Sequence, residues 1–201
     1  MRNYDIIVVG AVAAGVFISY EFTKLDIDAK VLVLDKGCAL ERRVCPIKKG
    51  SKTCRRCEPC HIMNGYGGAG TLSDGKYNIT TQFCGDLHQY VGTDKAMELM
   101  EYVDAVLCSM GGEDAKLFST ASSALKTECL KHDLHLLEAK VRHLGPERNV
   151  SILGEIYDYC KDKVDMKFNT TVENVTHEKD GTFTITTNKS EEFNCKDLVL
   201  A

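Results

Sequence analysis

The chain shows no block of basic residues, and no stretch of it reads as an export signal or as long enough to cross a bilayer. Beyond Arg42-Arg43, its lysines and arginines are scattered, and the net charge is -4. Both features argue against nucleic acid as a partner. The apolar run Ile6–Tyr20 is too short to span a membrane. It has Asp5 just before it and no strong basic lead, so it does not read as a signal peptide. A reducing cytoplasm is therefore the expected compartment. There, ten cysteines are ligands, redox groups or small core residues rather than a disulfide framework. Internal repeats and low-complexity segments are also absent. What remains is an ordinary globular composition, 44% hydrophobic and 27% charged over 201 residues. That is enough for one good core, or for one domain and part of another.

Tyr4–Val9 is a continuous Ile/Val-rich run, the pattern of a strand buried on both faces. A glycine turn, Gly10 to Gly15, leads into a helix expected to reach Lys24. Lys30–Leu34 is a second buried strand, ending at Asp35. Strand, turn, helix and strand make a βαβ unit. Its turn, Gly10-Ala11-Val12-Ala13-Ala14-Gly15, keeps the first and third glycines of the G-x-G-x-x-G dinucleotide fingerprint and carries Val12 in the middle. A β-branched residue there is expected to crowd a diphosphate and to resist a positive φ. Asp35, at a strand end twenty residues beyond Gly15, stands where an acid can bind ribose hydroxyls. The alternative is a βαβ unit that binds no nucleotide.

From Lys36 to Gly85 no regular periodicity is visible, and a loop of that length is normally functional or tied down. Helices are expected over Lys95–Ser109, Ser122–His132 and Ser151–Lys163, and a strand over Leu134–Val141. The tail reads as strands over Val164–Phe168, Thr171–His177, Thr182–Thr187 and Asp197–Ala201, with Asp180-Gly181 as a hairpin turn. The irregular segment holds Cys45, Cys54, Cys57 and Cys60, the last three spaced C-x2-C-x2-C. Close thiolates at that spacing suit an iron–sulfur cluster or a four-cysteine zinc site; a redox dithiol and unligated loop cysteines are the other readings. The bases around them, Lys48, Lys49, Lys52, Arg55 and Arg56, could stabilise thiolates or an anion, or form a solvated loop. The other six cysteines are assigned to packing or surface. Arg142 and His143, beside Gly145, could serve a substrate carboxylate or a flavin edge, or form a solvated turn. No second dinucleotide fingerprint and no acid/base pair beside a defined pocket are visible, so no catalytic residue is assigned.

Tyr4–Gly10, Val31–Gly37, the glycine-rich run Asn64–Lys76 and Arg142-His143-Leu144-Gly145 together, in that order, resemble the uncharacterised FAD-dependent dehydrogenase family. The resemblance implies an α/β, Rossmann-like FAD-binding domain with a parallel sheet, helices and a β-meander, plus part of a second, substrate domain. It implies non-covalent FAD and hydride transfer through the flavin. Gly10, Gly15 and Asp35 would contact the ADP portion. Gly67, Gly68, Gly70, Ser73 and Asp74 would lie near the pyrophosphate or the flavin ring. Ala11, Val12, Ala14, Lys36, Arg43 and Ala69 are expected among the cofactor contacts. The expected organisation is residues 1–85 as the first part of the FAD-binding domain, 86–145 as a partial substrate region, and 146–201 as a return to the first domain. Family members are about twice as long, and the strand ending at Ala201 normally leads into a further glycine turn. The chain is thus expected to be an N-terminal fragment, weakly active or inactive alone, that needs a C-terminal half or a redox partner and acts on a small molecule. The competing expectations are a cysteine-ligated metal or electron-transfer module and an inactive remnant.

Overall fold

A computed structural model describes residues 2–121 and 123–201. In chain order the elements are β1 (Arg2–Val9), α1 (Ala13–Lys24), β2 (Val31–Leu34), β3 (Lys76–Ile79), α2 (Leu87–Val91), α3 (Thr93–Leu107), β4 (Leu117–Ser119), α4 (Ser123–Leu130), β5 (Lys140–His143), α5 (Pro146–Cys160), β6 (Val164–Lys167), β7 (Val172–His177), β8 (Phe183–Thr187) and β9 (Glu192–Leu200). The chain divides into two compact units, Met1–Leu72 with Leu153–Ala201, and Ser73–Ile152. The divisions expected from sequence lie at 85 and 145, whereas the compact units meet after Leu72 and after Ile152.

The first unit is built on a six-stranded sheet of order β6-β2-β1-β9-β8-β7. β6, β2, β1 and β9 run parallel, while β7, β8 and the first half of β9 form an antiparallel meander. β2 is buried along its whole length, which is why it consists only of Val and Leu. Its Leu32 and Leu34 join Tyr4, Ile7, Ile185, Phe193 and Cys195 in one core cluster. Each large apolar side chain fully enclosed there contributes about 1.5–3 kcal/mol. On α1, Tyr20 stacks at a tilt on Tyr159 of α5, with ring centres 5.5 Å apart. The hairpin between β7 and β8 turns through Gly181 at φ +88°, and Asp180 accepts the N–H of Thr182 at 3.0 Å.

The second unit carries a three-stranded antiparallel sheet, β3-β5-β4, and the amphipathic helix α3, whose Ala96, Val106 and Leu107 are buried. Arg142 of β5 makes a two-point pair with Asp104 of α3, at 2.5 and 2.9 Å. Its third nitrogen, Nη1, donates to the carbonyl of Ala115.

Two local expectations are corrected. The irregular stretch Lys36–Gly85 contains β3, whose sequence Lys-Tyr-Asn-Ile hides a strand because only Ile79 is buried. The strand expected over Leu134–Val141 begins only at Lys140; Leu134 and Leu137 are exposed. The helix expected from Ser122 is seen as α4 from Ser123, Ser122 itself lying outside the described residues. No helix among the described residues is long and apolar enough to cross a membrane.

Candidate functional site

In the parallel half of the first unit, β2 flanks β1 on one side and β9 on the other. The strand order therefore reverses at β1, and the crevice beyond the carboxyl ends of the strands is where an open α/β sheet accepts a ligand. A cavity of about 410 Å³ occupies that place. Val9, Gly10, Leu34, Asp35 and Ala201 form its floor, and Val12, Lys36, Asn64 and Thr170 to Val172 form its walls. The volume falls within the ~300–1,000 Å³ usual for cofactor sites.

The turn from β1 into α1 explains the glycines. Gly10 sits at φ +111°, and a Cβ there would lie 2.4 Å from the carbonyl oxygen of Ala201. A Cβ on Gly15 would lie 2.0 Å from the carbonyl oxygen of Gly10. Both positions exclude any side chain. Val12, by contrast, has φ -77° and ψ -170°, extended backbone that a β-branched residue adopts freely. The expected conflict with a positive φ does not arise. The Val12 side chain is received by Gly68, where an added Cβ would lie 3.0 Å from both its Cβ and its Cγ1. Val12 precedes α1 without capping it, and the first turn has no acidic residue. Its free N–H groups and the positive end of the helix dipole therefore suit a phosphate.

Asp35 is buried, and both its oxygens are engaged. Oδ2 accepts the N–H of Ala11 at 2.8 Å, and Oδ1 accepts the N–H of Gly37 at 2.7 Å. The carboxylate thus ties the end of β2 to the glycine turn. A carboxylate oxygen accepts more than one hydrogen bond, so ribose hydroxyls remain possible donors. The glycine-rich run approaches from the other side, the N–H of Gly67 reaching the carbonyl of Ala11 at 2.7 Å. Gly67 and Gly68 are both left-handed, at φ +78° and +65°. Ala69 and Gly70 follow in an exposed 3₁₀ turn.

Other expected contacts are not among the residues lining the crevice. Ala14 lines a separate apolar hollow on α1, with Phe17, Ile18, Phe22 and Ile27. Arg43 is buried, and its guanidinium donates to the carbonyls of His61, Tyr66 and Ile62 at 3.2, 2.7 and 2.7 Å; it holds the loop together. Ser73 and Asp74 belong to the second unit. There Asp74 meets Lys76 at 2.7 Å and His143 at 3.1 Å, and the hydrogen bonds from these two side chains hold its carboxyl below the usual range. Arg142 is committed to Asp104, so it is not free to meet a substrate carboxylate.

The four loop cysteines are all free thiols, with Cys54 exposed and Cys45, Cys57 and Cys60 partly so. Among the described residues no group of three or more His, Cys, Asp or Glu is placed to hold a metal ion. The structure therefore lends no support to the iron–sulfur or zinc reading. Cys57 and Cys60 instead share a hollow of about 480 Å³ whose walls include Lys36, Asn64 and Thr171, residues also in the crevice. Sequence reasoning missed Asn64 and Thr170 to Val172 as crevice residues. They are ordinary loop and strand-start residues, and only the return of the chain through β6 brings the threonines to Asp35, whose carbonyl accepts the N–H of Thr170 at 2.9 Å.

No protein-family model matches the chain, and no curated protein matches it either. Solved structures do. Glycine oxidase from Geobacillus kaustophilus aligns over 100% of this chain and 55% of its own, at a TM-score of 0.56 and 14% identity. The 3-ketosteroid-delta4-(5alpha)-dehydrogenase of Rhodococcus jostii RHA1 aligns over 99% of this chain and 45% of its own, at a TM-score of 0.57 and 14% identity. The chain thus spans about half the length of these two oxidoreductases. At this identity the likeness concerns architecture alone, an α/β, Rossmann-like fold of parallel sheet, helices and antiparallel meander.

Proposed function

We propose that this chain is the nucleotide-binding portion of an FAD-dependent oxidoreductase. The crevice at the strand ends carries the proposal. It is closed beneath by a glycine that admits no Cβ, edged by an uncapped helix start and bounded by a buried acid.

The residues present fit an adenine dinucleotide. The first N–H groups of α1 would receive the diphosphate, with Gly10 allowing close approach. Asp35, held rigid by Ala11 and Gly37, would accept ribose hydroxyls, and Thr170 to Val172 would border the adenine. By the family resemblance, the run from Gly67 through Gly70 would lie toward the flavin half. The bound flavin would supply hydride transfer; the chain's own residues bind, orient and exclude water. The two similar oxidoreductases are about twice as long, and in our reading the residues that contact substrate belong to a further half or to a partner. The chain alone is then expected to bind nucleotide but to turn over weakly or not at all. The substrate is read as a small molecule and the compartment as the cytoplasm.

Calorimetric titration with ADP and with FAD tests this. Saturable one-to-one binding that disappears in Asp35→Ala supports it. Absence of binding by a folded chain at millimolar ligand overturns it.

A further inference from the structure

The cysteine motif is not used in the proposed nucleotide site, yet its last two members share a cavity. Cys57 and Cys60 both line the 480 Å³ hollow, with Lys36, Glu58, Asn64 and Thr171 around them. Both are free and partly exposed. Cys54, the third member of the motif, is exposed and is not among the residues lining this hollow. The backbone N–H groups of Met63 and Ile62, and more weakly the Arg43 guanidinium, hold the Cys60 thiol below the ordinary range. Arg43 is fixed in that position by the three carbonyls it serves. Two residues separate the cysteines, the spacing at which a dithiol closes into a small ring.

We propose that Cys60 and Cys57 form a thiol–disulfide exchange site for a small disulfide of the amino-acid or short-peptide type. Lys36 and Glu58 set opposite charges on the walls, matching the carboxylate and ammonium groups of such a molecule. Cys60 attacks as the thiolate. Its sulfur bonds to one substrate sulfur as the substrate S–S bond breaks, and the departing thiolate takes a proton from solvent. Cys57 then releases its proton to solvent and attacks the Cys60 sulfur. The Cys57–Cys60 bond forms, and the second substrate thiol leaves after protonation. The substrate disulfide gains two electrons and becomes two thiols, and the cysteine pair loses the same two. One turnover therefore needs no further reductant. The step uses no group assigned to chemistry on the nucleotide, and its test below is read without nucleotide present.

The test mixes the reduced full-length chain with glutathione disulfide, quenches with acid and digests with trypsin. Cleavage after Arg56 puts Cys57 and Cys60 together in a peptide ending at Lys76, whereas Cys54 falls in Thr53–Arg55. The expected product is the Cys57–Lys76 peptide with an internal disulfide and two released glutathione molecules. Cys57→Ser should halt with one glutathione on Cys60. Independently of any variant, limiting iodoacetamide should label Cys60 about ten-fold faster than Cys54 in the native chain, as expected where thiolate character differs. Equal labelling of the two, glutathione spread evenly over the loop cysteines, or a disulfide from Cys60 to Cys45 or Cys54 would each overturn the proposal.

Discussion

Asp35 carries two tasks with one carboxylate. Its oxygens accept the N–H groups of Ala11 and Gly37, so it shapes the crevice before it can meet a ribose. Asp35→Asn turns one acceptor into a donor facing an N–H, a buried mismatch worth about 1–3 kcal/mol. The expected outcome is a lower urea midpoint together with weaker ADP binding; an unchanged midpoint would contradict the clamp. Val12 lies on the crevice wall in unstrained backbone, so its effect is one of bulk alone. Val12→Gly should tighten FAD binding by about five-fold, roughly 1 kcal/mol, read by fluorescence titration. An unchanged affinity would show that the isopropyl group stays clear of the ligand. Val12 was read from sequence as a backbone conflict because the fingerprint glycine implies a special φ. The Gly68 that receives its side chain is distant in sequence and carried no sign of the pairing.

Elements with uniform burial were legible, and those without were not. β2 announced itself as unbroken Val and Leu because it is buried along its whole length, and β1 did so through Ile6–Val9, which follow its exposed first residues. β3 did not, since three of its four residues are not buried. β5 was displaced in the reading because Leu134 and Leu137 mimic a strand pattern while remaining exposed. The loop from Cys38 to Tyr66 owes its shape to Arg43, a residue that in sequence looks like one more scattered base. Its three carbonyl partners lie 18 to 23 residues away, a pattern with no local signature. Arg43→Met keeps most of the volume but leaves those carbonyls unpaired. Amide exchange over residues 57–66 should then quicken well before the sheet is affected. If that segment stays protected, Arg43 is not its clamp.

For the whole first unit, alkaline pH probes the core that supports the site. Tyr4 donates to Asp165 at 2.9 Å. Burial first, then that neighbouring carboxylate, push its hydroxyl up to about 12 from 10.0. Between those values the unfolded chain loses the proton while the folded chain keeps it, so stability is intact below pH 10 and falls as pH rises toward 12, by up to about 2–3 kcal/mol. Tyr66, enclosed by Tyr157 and Phe168, is shifted in the same direction by burial. Tyr4→Phe should flatten the decline in urea midpoint over this range; an equally steep decline would place its origin elsewhere. The α/β fold of this unit was legible in the sequence, because its βαβ start and strand-rich tail carry strong periodic patterns. The closing of the sheet by β9 against β1, which completes the crevice floor with Ala201, is a long-range pairing that local pattern does not encode.

The central claim is that the crevice binds an adenine nucleotide, and its most direct measurement is calorimetric titration of ADP into the purified chain and into Asp35→Ala. One-to-one binding to the chain, with loss of the signal in a variant that circular dichroism shows to be folded, is the predicted result. A folded chain that gives no heat with millimolar ADP or FAD, or a variant that binds as well as the parent, would contradict it.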